Sequence, residues 1–384
     1  MEKELNVVYI GAAKFPIGAA TSKRRRYMVD YMNQKGIQSH VLVTRCAQVD
    51  SENDKDGNYG LCDYHDICSL FRSSIRDYYN VGKKWLKEWK KDDKKNILIF
   101  HTILDIVDYP FFSYAKKLGY KVIFDQVETS YRAKGTKPSF KSGLHICLNE
   151  FVGKHAYSKC DGSFVISEAL KCQNEEAYPK MPLELLPNST PILQKKKKTS
   201  FGEVPTVLYA GTYAPKDGVE YLIKAFLKVL NEGYKCKLIL TGKGTAEDMK
   251  VLDLIKNNHY VEYLGRVSDE KLNEVLLTSD ILTMTRVNSK FANFGFPFKV
   301  SEYLATGNVV LATKVSDIEQ YLTHLEDAYL VSPENIDEIA DGIKYLLDNQ
   351  VKALEMGENG LRVAKDFFGV DVIGAKFVAF LKRI

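Results

Sequence analysis

The stretch TVLYAGTYAPKDGVEYLIKAF, residues 206–226, runs from an apolar segment through a glycine turn into an amphipathic segment. The uninterrupted apolar residues at its start predict a strand buried on both faces, and the apolar positions after the turn recur at helical spacing. A strand, a tight turn and a helix in this order form the first part of a βαβ unit, whose second strand pairs in parallel with the first. The stretch therefore predicts an α/β fold built on a parallel sheet.

The same alternation continues on both sides of this stretch. Further strands are predicted at 6–11, 39–44, 96–100, 121–125, 163–167, 183–187, 237–242, 261–265, 281–285, 308–313 and 328–332. Between the two series, NSTPILQKKKKTSFGEVP (188–205) has the turn residues and the lysine run that are typical of an exposed linker. We therefore predict two Rossmann-like, doubly wound domains that face each other across a cleft. Their predicted bounds are 1–190 for the first domain, 191–205 for the linker, 206–365 for the second domain and 366–384 for a C-terminal helix that crosses back to the first domain.

Composition places the chain among ordinary globular proteins. Of its 384 residues, 45% are hydrophobic and 27% charged, and the formal net charge is +5. The seven cysteines include no C-x-x-C pair, so neither a disulfide framework nor a zinc site is predicted. No apolar run approaches the ~18 residues of a membrane span, and a mild net charge does not indicate nucleic acid. We expect a cytoplasmic protein that binds no nucleic acid.

Two glycine turns after predicted strands are candidates for binding phosphate. In the first domain the turn runs from Gly11 to Gly18, where small residues would let backbone N–H groups approach a ligand, although a plain tight turn fits equally well. In the second domain the turn runs from Gly211 through Lys216 to Gly218 and leads into a helix. A lysine beside a helix N-terminus favours an anion, while many such turns bind nothing.

A third segment, PFKVSEYLATG (297–307), is predicted to be a short helix. Pro297 suits its start and Gly307 its end, which places Lys299 and Glu302 one turn apart. The pair could be a plain surface contact. At a strand end, however, a cation beside a helix N-terminus suits a diphosphate and a carboxylate suits a ribose diol.

Together these segments resemble the nucleotide-binding domain of the large family of retaining nucleotide-sugar glycosyltransferases with two Rossmann-like domains (the GT-B fold, group 1 or family-four type). The resemblance rests on YAGTYAPKDGVEYLIKAF (209–226), LILTGKG (238–244), VEYLGRVSDEKLNEVLLTSDILTMTR (261–286) and FPFKVSEYLATGNVVLATKVSDIEQYL (296–322). In the first domain it rests, more thinly, on IFDQVE (123–128) and CDGSFVISEAL (160–170). It implies a hexosyltransferase with a nucleotide-diphosphate sugar as co-substrate, UDP-sugar favoured, no further cofactor, no required metal and a growing glycan as acceptor.

The resemblance also implies a donor site, residue by residue. Glu302 would bind the nucleotide ribose, and Lys299 would hold the diphosphate. The other residues implied to hold the diphosphate or to border the base are Gly211, Thr212, Lys216, Gly265, Arg266 and Val267, and the first-domain turn would add Gly11 and Gly18.

This chain departs from the family pattern at two positions. Thr212 stands where the family often has arginine, and Phe294 stands where it often has the first glutamate of a pair. We expect Arg286 to supply part of the missing positive charge. The departures leave two alternatives open, namely a catalytically weakened sugar-nucleotide-binding protein and an epimerase or hydrolase on the same fold.

Carboxylates in the first domain are candidates for the sugar itself. Asp125 and Glu128 follow a predicted strand and would reach the cleft, where they could bind sugar hydroxyls or stabilise a cationic centre. Loop capping is the alternative for both residues.

Two basic clusters in the first domain predict contact with an anionic membrane, which would place a lipid-linked glycan within reach. One is the run Lys23, Arg24, Arg25 and Arg26; the other is GKKWLKEWKKDDKK (82–95), which holds both tryptophans of the chain, Trp85 and Trp89. Tryptophan and lysine on one helix suit a peripheral position at the inner membrane surface. The alternative is a solvated face over a core-packed tryptophan pair.

Overall fold

The computed structural model describes residues 4–45, 55–101, 104–127, 140–194 and 196–384, with the backbone alone for residues 140–145 and 291. The chain folds into two compact units. Unit 1 comprises Met1–Pro187 together with Ile373–Ile384, and unit 2 comprises Asn188–Val372.

Unit 1 contains a mostly parallel sheet flanked by helices. Its strands in the described residues are β1 (Leu5–Gly11), β2 (Gln38–Val43), β3 (Asp56–Tyr59), β4 (Cys62–Asp66), β5 (Lys95–His101), β6 (Lys121–Gln126), β7 (Gly162–Val165) and β8 (Leu183–Leu185). They lie in the order β3-β4-β2-β1-β5-β6-β7-β8, and only β3, paired with β4, is antiparallel among these strands. The helices that precede the second unit are α1 (Ala20–Gln34), α2 (Cys68–Ser73), α3 (Ile75–Trp89), α4 (Tyr109–Leu118), α5 (Phe140–Ser158) and α6 (Glu168–Ala177).

The centre of the unit 1 sheet is covered on both faces. Every residue of β1 (LNVVYIG) is buried, as is most of β5, which pairs with it in parallel. A continuous apolar strand of this kind is what a parallel sheet between two helix layers requires. The hairpin of β3 and β4 was not among the predicted strands, because its sequence DGNYGLCDYHD (56–66) has no β-branched run.

Unit 2 contains a parallel sheet of its own. Its strands in the described residues are β9 (Thr206–Ala210), β10 (Lys237–Thr241), β11 (Val261–Gly265), β12 (Ile281–Met284), β13 (Val309–Thr313) and β14 (Tyr329–Val331). They lie in the order β11-β10-β9-β12-β13-β14. The helices are α7 (Val219–Asn231), α8 (Asp269–Thr278), α9 (Lys290–Phe294), α10 (Phe298–Leu304), α11 (Ile318–Tyr321), α12 (Ile336–Asp348) and α13 (Gln350–Val363).

The strand order of unit 2 reverses between β9 and β12. The chain leaves β9 toward β10 and β11, then crosses to β12 on the other side of β9. At such a switch point the loops after the two central strands diverge and leave a crevice at their carboxyl ends, where doubly wound sheets bind ligands. The loops that begin at Gly211 and at Thr285 flank this point.

The predicted linker and the predicted C-terminal helix both have defined places. Residues 191–205 belong to unit 2, where the N–H groups of Leu193 and Gln194 donate to the Ala305 carbonyl and Lys198 pairs with the buried Asp280 at 2.8 Å. The last helix, α14 (Val370–Arg383), belongs to unit 1 from Ile373 onward.

Aromatic contacts hold the last helix in unit 1. The Phe377 ring is stacked on Tyr9 of β1 at 6.2 Å and on Phe164 of β7 at 5.0 Å. Phe380 also packs on Phe164, at 4.8 Å. The helix therefore completes the core of unit 1, although the residues of unit 2 separate it in sequence from the rest of that unit.

We predict that Phe377→Ala destabilises the protein. The substitution removes a ring that is 1% exposed, and truncations of this kind cost ~3–5 kcal/mol of unfolding free energy. Val351→Ala is the control, because Val351 is 75% exposed. Urea unfolding that gives both variants the parent's stability would contradict the packing described here.

Candidate functional site

Glycines at the ends of adjacent strands bring their backbones close together in unit 2. Gly211 follows β9, Gly242 follows β10 and Gly265 ends β11, with φ values of +154°, +110° and +66°. A Cβ atom on Gly242 would lie 1.8 Å from the Gly211 carbonyl oxygen, so only glycine fits there. These strand ends therefore present backbone without side chains, a surface that suits the close approach of phosphate.

The ammonium group of Lys299 lies against Gly211. A Cβ atom on Gly211 would be 2.6 Å from the lysine Nζ. Nζ donates to the Tyr209 hydroxyl at 2.7 Å and to Asp217 Oδ1 at 3.2 Å, and it lies 4.2 Å from the centre of the Tyr209 ring. The lysine side chain is 16% exposed. A largely buried cation is stable here because a carboxylate, a hydroxyl and an aromatic face surround it.

Helix α10 fixes the position of this lysine. Pro297 precedes the helix with an extended backbone, and Lys299 is its second residue. The Tyr303 hydroxyl, one turn later, accepts from the Ala210 N–H at 2.9 Å and donates to the Ala210 carbonyl at 3.1 Å. The helix is thereby tied to the end of β9.

Asp217 belongs to the turn between β9 and α7. Its side chain accepts the Thr212 hydroxyl at 2.6 Å through Oδ2, while Oδ1 faces Lys299. Gly218 follows with φ +66° and starts α7; a Cβ atom there would lie 1.9 Å from the Thr285 carbonyl oxygen. The turn is therefore held tightly against the segment that follows β12.

Two further cations lie within electrostatic reach of the Asp217–Lys299 pair. They are Arg286, which follows β12, and Lys216, which precedes Asp217 in the turn. The Thr313 hydroxyl donates to the Arg286 carbonyl at 2.7 Å, and the carbonyl of Lys216 accepts a hydrogen bond from the segment after β12. We name Lys216, Arg286, Lys299 and Asp217 the charged cluster. It has an excess of two positive charges when its members are ionised.

Burial and charge act in opposite directions on the pair at the centre of the charged cluster. Burial lowers the pKa of Lys299, and Asp217 offsets part of that shift. Burial alone would raise the pKa of Asp217, but the Lys299 ammonium and the Thr212 hydroxyl outweigh it, so that this pKa lies below its usual value. Asp217 is therefore a carboxylate at neutral pH.

The other predicted donor residues lie on neighbouring elements. Glu302 is half-buried on α10, one turn after Lys299 and on the same side of the helix. Gly265 ends β11, and the next residues are the exposed Arg266 and the half-buried Val267. Within the described part of the chain, no group of three or more His, Cys, Asp or Glu residues could hold a metal ion.

Unit 2 matches a known family almost from end to end. Residues 192–363 match the model described as Glycosyl transferases group 1. An uncharacterized glycosyltransferase of Haemophilus influenzae is 23% identical over 312 residues, which are 73% of this chain and 84% of that protein. The alignments with seven other curated relatives span only 23% to 57% of those proteins' own length.

The whole chain also matches solved structures. A sucrose-phosphate synthase from Thermosynechococcus elongatus superimposes with a TM-score of 0.76 at 14% identity, covering 99% of both chains. HepE from Anabaena, solved in complex with UDP, superimposes with a TM-score of 0.71 at 13% identity, covering 99% of this chain and 100% of that one. The chain has the GT-B fold, and its second unit matches the Glycosyl transferases group 1 family. The predicted fold class is confirmed, as is the resemblance of the second domain to group 1 glycosyltransferases.

In unit 1, the predicted sugar contact Asp125 already has a strong internal partner. Arg24 donates to it through Nε at 3.0 Å and through Nη2 at 2.8 Å, and His101 Nδ1 lies 3.4 Å away. The arginine also donates to the carbonyls of Leu186 and Pro187. Burial alone would raise the pKa of Asp125, but Arg24 holds it well below its usual value. Glu128, the other predicted carboxylate, lies outside the described residues.

The prediction that Lys23, Arg24, Arg25 and Arg26 form a basic surface is wrong for the first three residues. Lys23 is 9% exposed, Arg24 3% and Arg25 1%, while Arg26 is half-buried. The Arg25 guanidinium lies over the Tyr9 ring at 5.7 Å and donates to a carbonyl of the Gly11–Gly18 turn. Because α1 packs onto the sheet, Arg24 and Arg25 point into unit 1 rather than toward solvent.

The tryptophans of α3 form a stack with histidines. The Trp85 ring lies on His65 at 3.5 Å, and the Trp89 ring lies on His40 at 4.9 Å. Trp89 also donates its indole N–H to Asp63 at 2.6 Å and is 4% exposed. The core-packed alternative is therefore correct for Trp89, and Trp85 is half-buried. In the part of the chain that the structure describes, none of the helices combines the length and apolar character needed to cross a membrane.

Sequence reasoning missed two residues of the site, Tyr209 and Asp217. Tyr209 is in the middle of an apolar strand, where a buried aromatic residue is ordinary. Asp217 follows Lys216 in a turn, where an aspartate is ordinary. The sequence did offer one signal for Asp217, which is its position directly after Lys216 in a turn predicted to bind an anion. A carboxylate beside an anion site needs a cation close to it.

We predict that Lys299→Met weakens the binding of UDP or GDP at least tenfold, because the cation that lies against Gly211 is removed. Isothermal calorimetry measures the change. Circular dichroism first establishes the folded fraction, since the substitution leaves Asp217 without its ion-pair partner.

Lys344→Met is the control for that measurement. Lys344 pairs with Glu232 at 2.6 Å and Asp341 at 2.9 Å, outside the charged cluster. If both variants bind the nucleotides as the parent does, Lys299 is not part of the binding site.

Proposed function

We propose that this protein is a glycosyltransferase that moves a hexose from a nucleoside-diphosphate sugar to a hydroxyl group of a glycan, and that the sugar keeps its anomeric configuration. The observation that carries the proposal is the charged cluster at the switch point of unit 2. Its excess of two positive charges equals the two negative charges of the diphosphate in a nucleotide sugar. A UDP-sugar is the favoured donor, which the UDP complex of the Anabaena neighbour supports.

In the proposed reaction, the bond between the anomeric carbon and the diphosphate oxygen breaks while the acceptor hydroxyl oxygen bonds to the same carbon. The acceptor's proton passes to the leaving diphosphate, which lies on the same face of the sugar. Negative charge develops on the leaving oxygen, and cations placed in advance stabilise it without reorganisation. Lys299 is suited to this role because its surroundings already hold it in position.

The remaining donor residues have assigned parts in the proposal. Glu302 accepts the ribose hydroxyls, Gly211 leaves room for the diphosphate, and Thr212 offers it a backbone N–H group. The base lies beside Gly265, Arg266 and Val267. Lys299 and Arg286 supply the positive charge, so that no metal is required for departure of the diphosphate.

A second candidate is a sugar-nucleotide-binding protein with weakened catalysis. It is favoured by Thr212, which bonds to Asp217 and contributes no charge, and by Phe294, which contributes no carboxylate. Such a protein would bind the donor and turn it over slowly or not at all.

A donor screen tests the proposed function. We expect nucleotide release from a UDP-hexose to require a glycan acceptor, the product to keep the donor's anomeric configuration by NMR coupling constants, and EDTA to leave the rate unchanged. Full turnover without acceptor would indicate an epimerase or hydrolase, and tight binding without turnover would indicate the weakened protein. An inverted product, or activity lost to EDTA and restored by Mg²⁺ or Mn²⁺, would contradict the mechanism.

A soluble glycan is the proposed acceptor rather than a lipid-linked one. Three of the four residues in the basic run of α1, Lys23, Arg24 and Arg25, are buried, and so is Trp89 of α3. Electrostatic binding to anionic lipid needs several exposed cations, each contributing ~1 kcal/mol.

We therefore expect no salt-dependent sedimentation with vesicles of 30% phosphatidylserine at low or physiological salt. The comparison uses the parent and a Lys84→Gln/Lys87→Gln variant, since these two lysines of α3 are exposed. If the parent sediments with the vesicles, and if sedimentation decreases with salt and with the double substitution, a lipid-linked acceptor is the better proposal.

A further inference from the structure

We propose that Asp217 is a positioning residue, which keeps the Lys299 ammonium charged and directed at the strand ends without touching the substrate itself. This inference rests on the proposed function, because it explains how the diphosphate site is built. A carboxylate is at first sight out of place there, since it repels a diphosphate. Its presence therefore needs a physical reason.

The geometry of the pair leaves part of the ammonium group available. A lysine ammonium has three N–H donors. Those of Lys299 have two partners among the described residues, the Tyr209 hydroxyl and Asp217 Oδ1. The third donor is left for a ligand beside Gly211, whose missing side chain gives the access. Asp217 and Tyr209 together thus set the direction in which the remaining N–H points.

Asp217 itself has little freedom to move. Thr212 donates to its Oδ2 at 2.6 Å, and its own N–H donates to Ala214 at 2.8 Å. The residue after it, Gly218, is in contact with the Thr285 carbonyl, and the Thr285 hydroxyl donates to the carbonyl of Gly218 at 3.1 Å. A carboxylate fixed in this way holds a flexible lysine side chain in one orientation.

The charge balance explains why a carboxylate is needed. The charged and titratable groups that face Lys299 are Asp217, Arg286, Lys216 and the Tyr209 hydroxyl. Burial and the two neighbouring cations favour the neutral amine, and Asp217 is the group that opposes them. Without Asp217, Lys299 would lose its proton at a lower pH, and the site would lose the charge that stabilises the leaving diphosphate.

The test compares Asp217→Asn and Asp217→Glu with the parent in the full chain. Because the asparagine variant lowers the pKa of Lys299, we expect the alkaline limb of the kcat profile to move down by at least one pH unit, with kcat affected more than KM. In the glutamate variant the alkaline limb should lie close to that of the parent, since the negative charge is kept.

Asp280→Asn is the matched control. Asp280 is also a buried carboxylate of unit 2 paired with a lysine, Lys198, at 2.8 Å, but it lies outside the charged cluster. This control should lower stability and leave the pH profile in place. If its profile moves as far as that of Asp217→Asn, the shift reflects general damage and the proposal is wrong.

A second readout does not depend on transfer. The rate at which acetic anhydride modifies Lys299, followed by mass spectrometry across pH, reports how much neutral amine is present. We expect at least a tenfold faster reaction in Asp217→Asn than in the parent at pH 7.5, with other lysines such as Lys344 unchanged.

The two readouts separate the two hypotheses. If the parent turns over no nucleotide sugar, the proposed function is wrong. The labelling rate of Lys299 would still test the positioning role of Asp217. An active parent whose Asp217→Asn variant shows neither a shifted pH limb nor faster labelling of Lys299 would overturn the positioning role and leave the transferase function standing.

Discussion

The ammonium of Lys299 lies against the end of β9 in unit 2, and its burial constrains every group around it. A buried cation is unfavourable unless a counter-ion and hydrogen-bond acceptors replace its water. Asp217 and Tyr209 supply these, and Gly211 leaves the space. The bond of Tyr303 to Ala210 keeps α10 close enough for the lysine to reach them. The Lys299 ammonium therefore links helix α10 to the end of β9 and to the turn that contains Asp217.

Unit 1 contains a second ion pair beside a strand end, but its arrangement differs. Arg24 donates to both oxygens of Asp125 and to the carbonyls of Leu186 and Pro187, so its guanidinium joins α1, β6 and the segment after β8. Bidentate geometry and full burial make this pair a structural tie. Lys299 in unit 2 has two hydrogen-bond partners in the described ranges for its three N–H donors, and we propose that the third donor binds the diphosphate. In this proposal, cations beside strand ends stabilise one unit and bind the ligand in the other.

Some residues that were predicted to be exposed are buried, and they show which information a sequence pattern lacks. Lys23 to Arg26 are four consecutive basic residues, and such runs are usually solvated. Here α1 packs onto the sheet, where Asp125 pairs with Arg24, and a backbone carbonyl and the Tyr9 ring contact the Arg25 guanidinium. Trp89 likewise has an indole partner, Asp63, that lies 26 positions away. A charge or a ring on a helix is exposed or buried according to partners that are distant in sequence.

Local spacing was enough to predict the strands other than β3 and β4, the two doubly wound α/β domains, and the helical turn that separates Lys299 from Glu302, because alternation of apolar segments and helical periodicity act over a few residues. The GT-B assignment came from the resemblance to a known family. It was also enough to locate the glycine turns, since a positive φ after a strand is a local requirement. The partners of each charge depended on the folded chain. Tyr209, Asp217 and Lys299 are as much as 90 positions apart and meet because the parallel sheet and α10 bring their ends to one edge. Burial then decides which carboxylate a cation pairs with, and a sequence contains no measure of burial until the chain has folded.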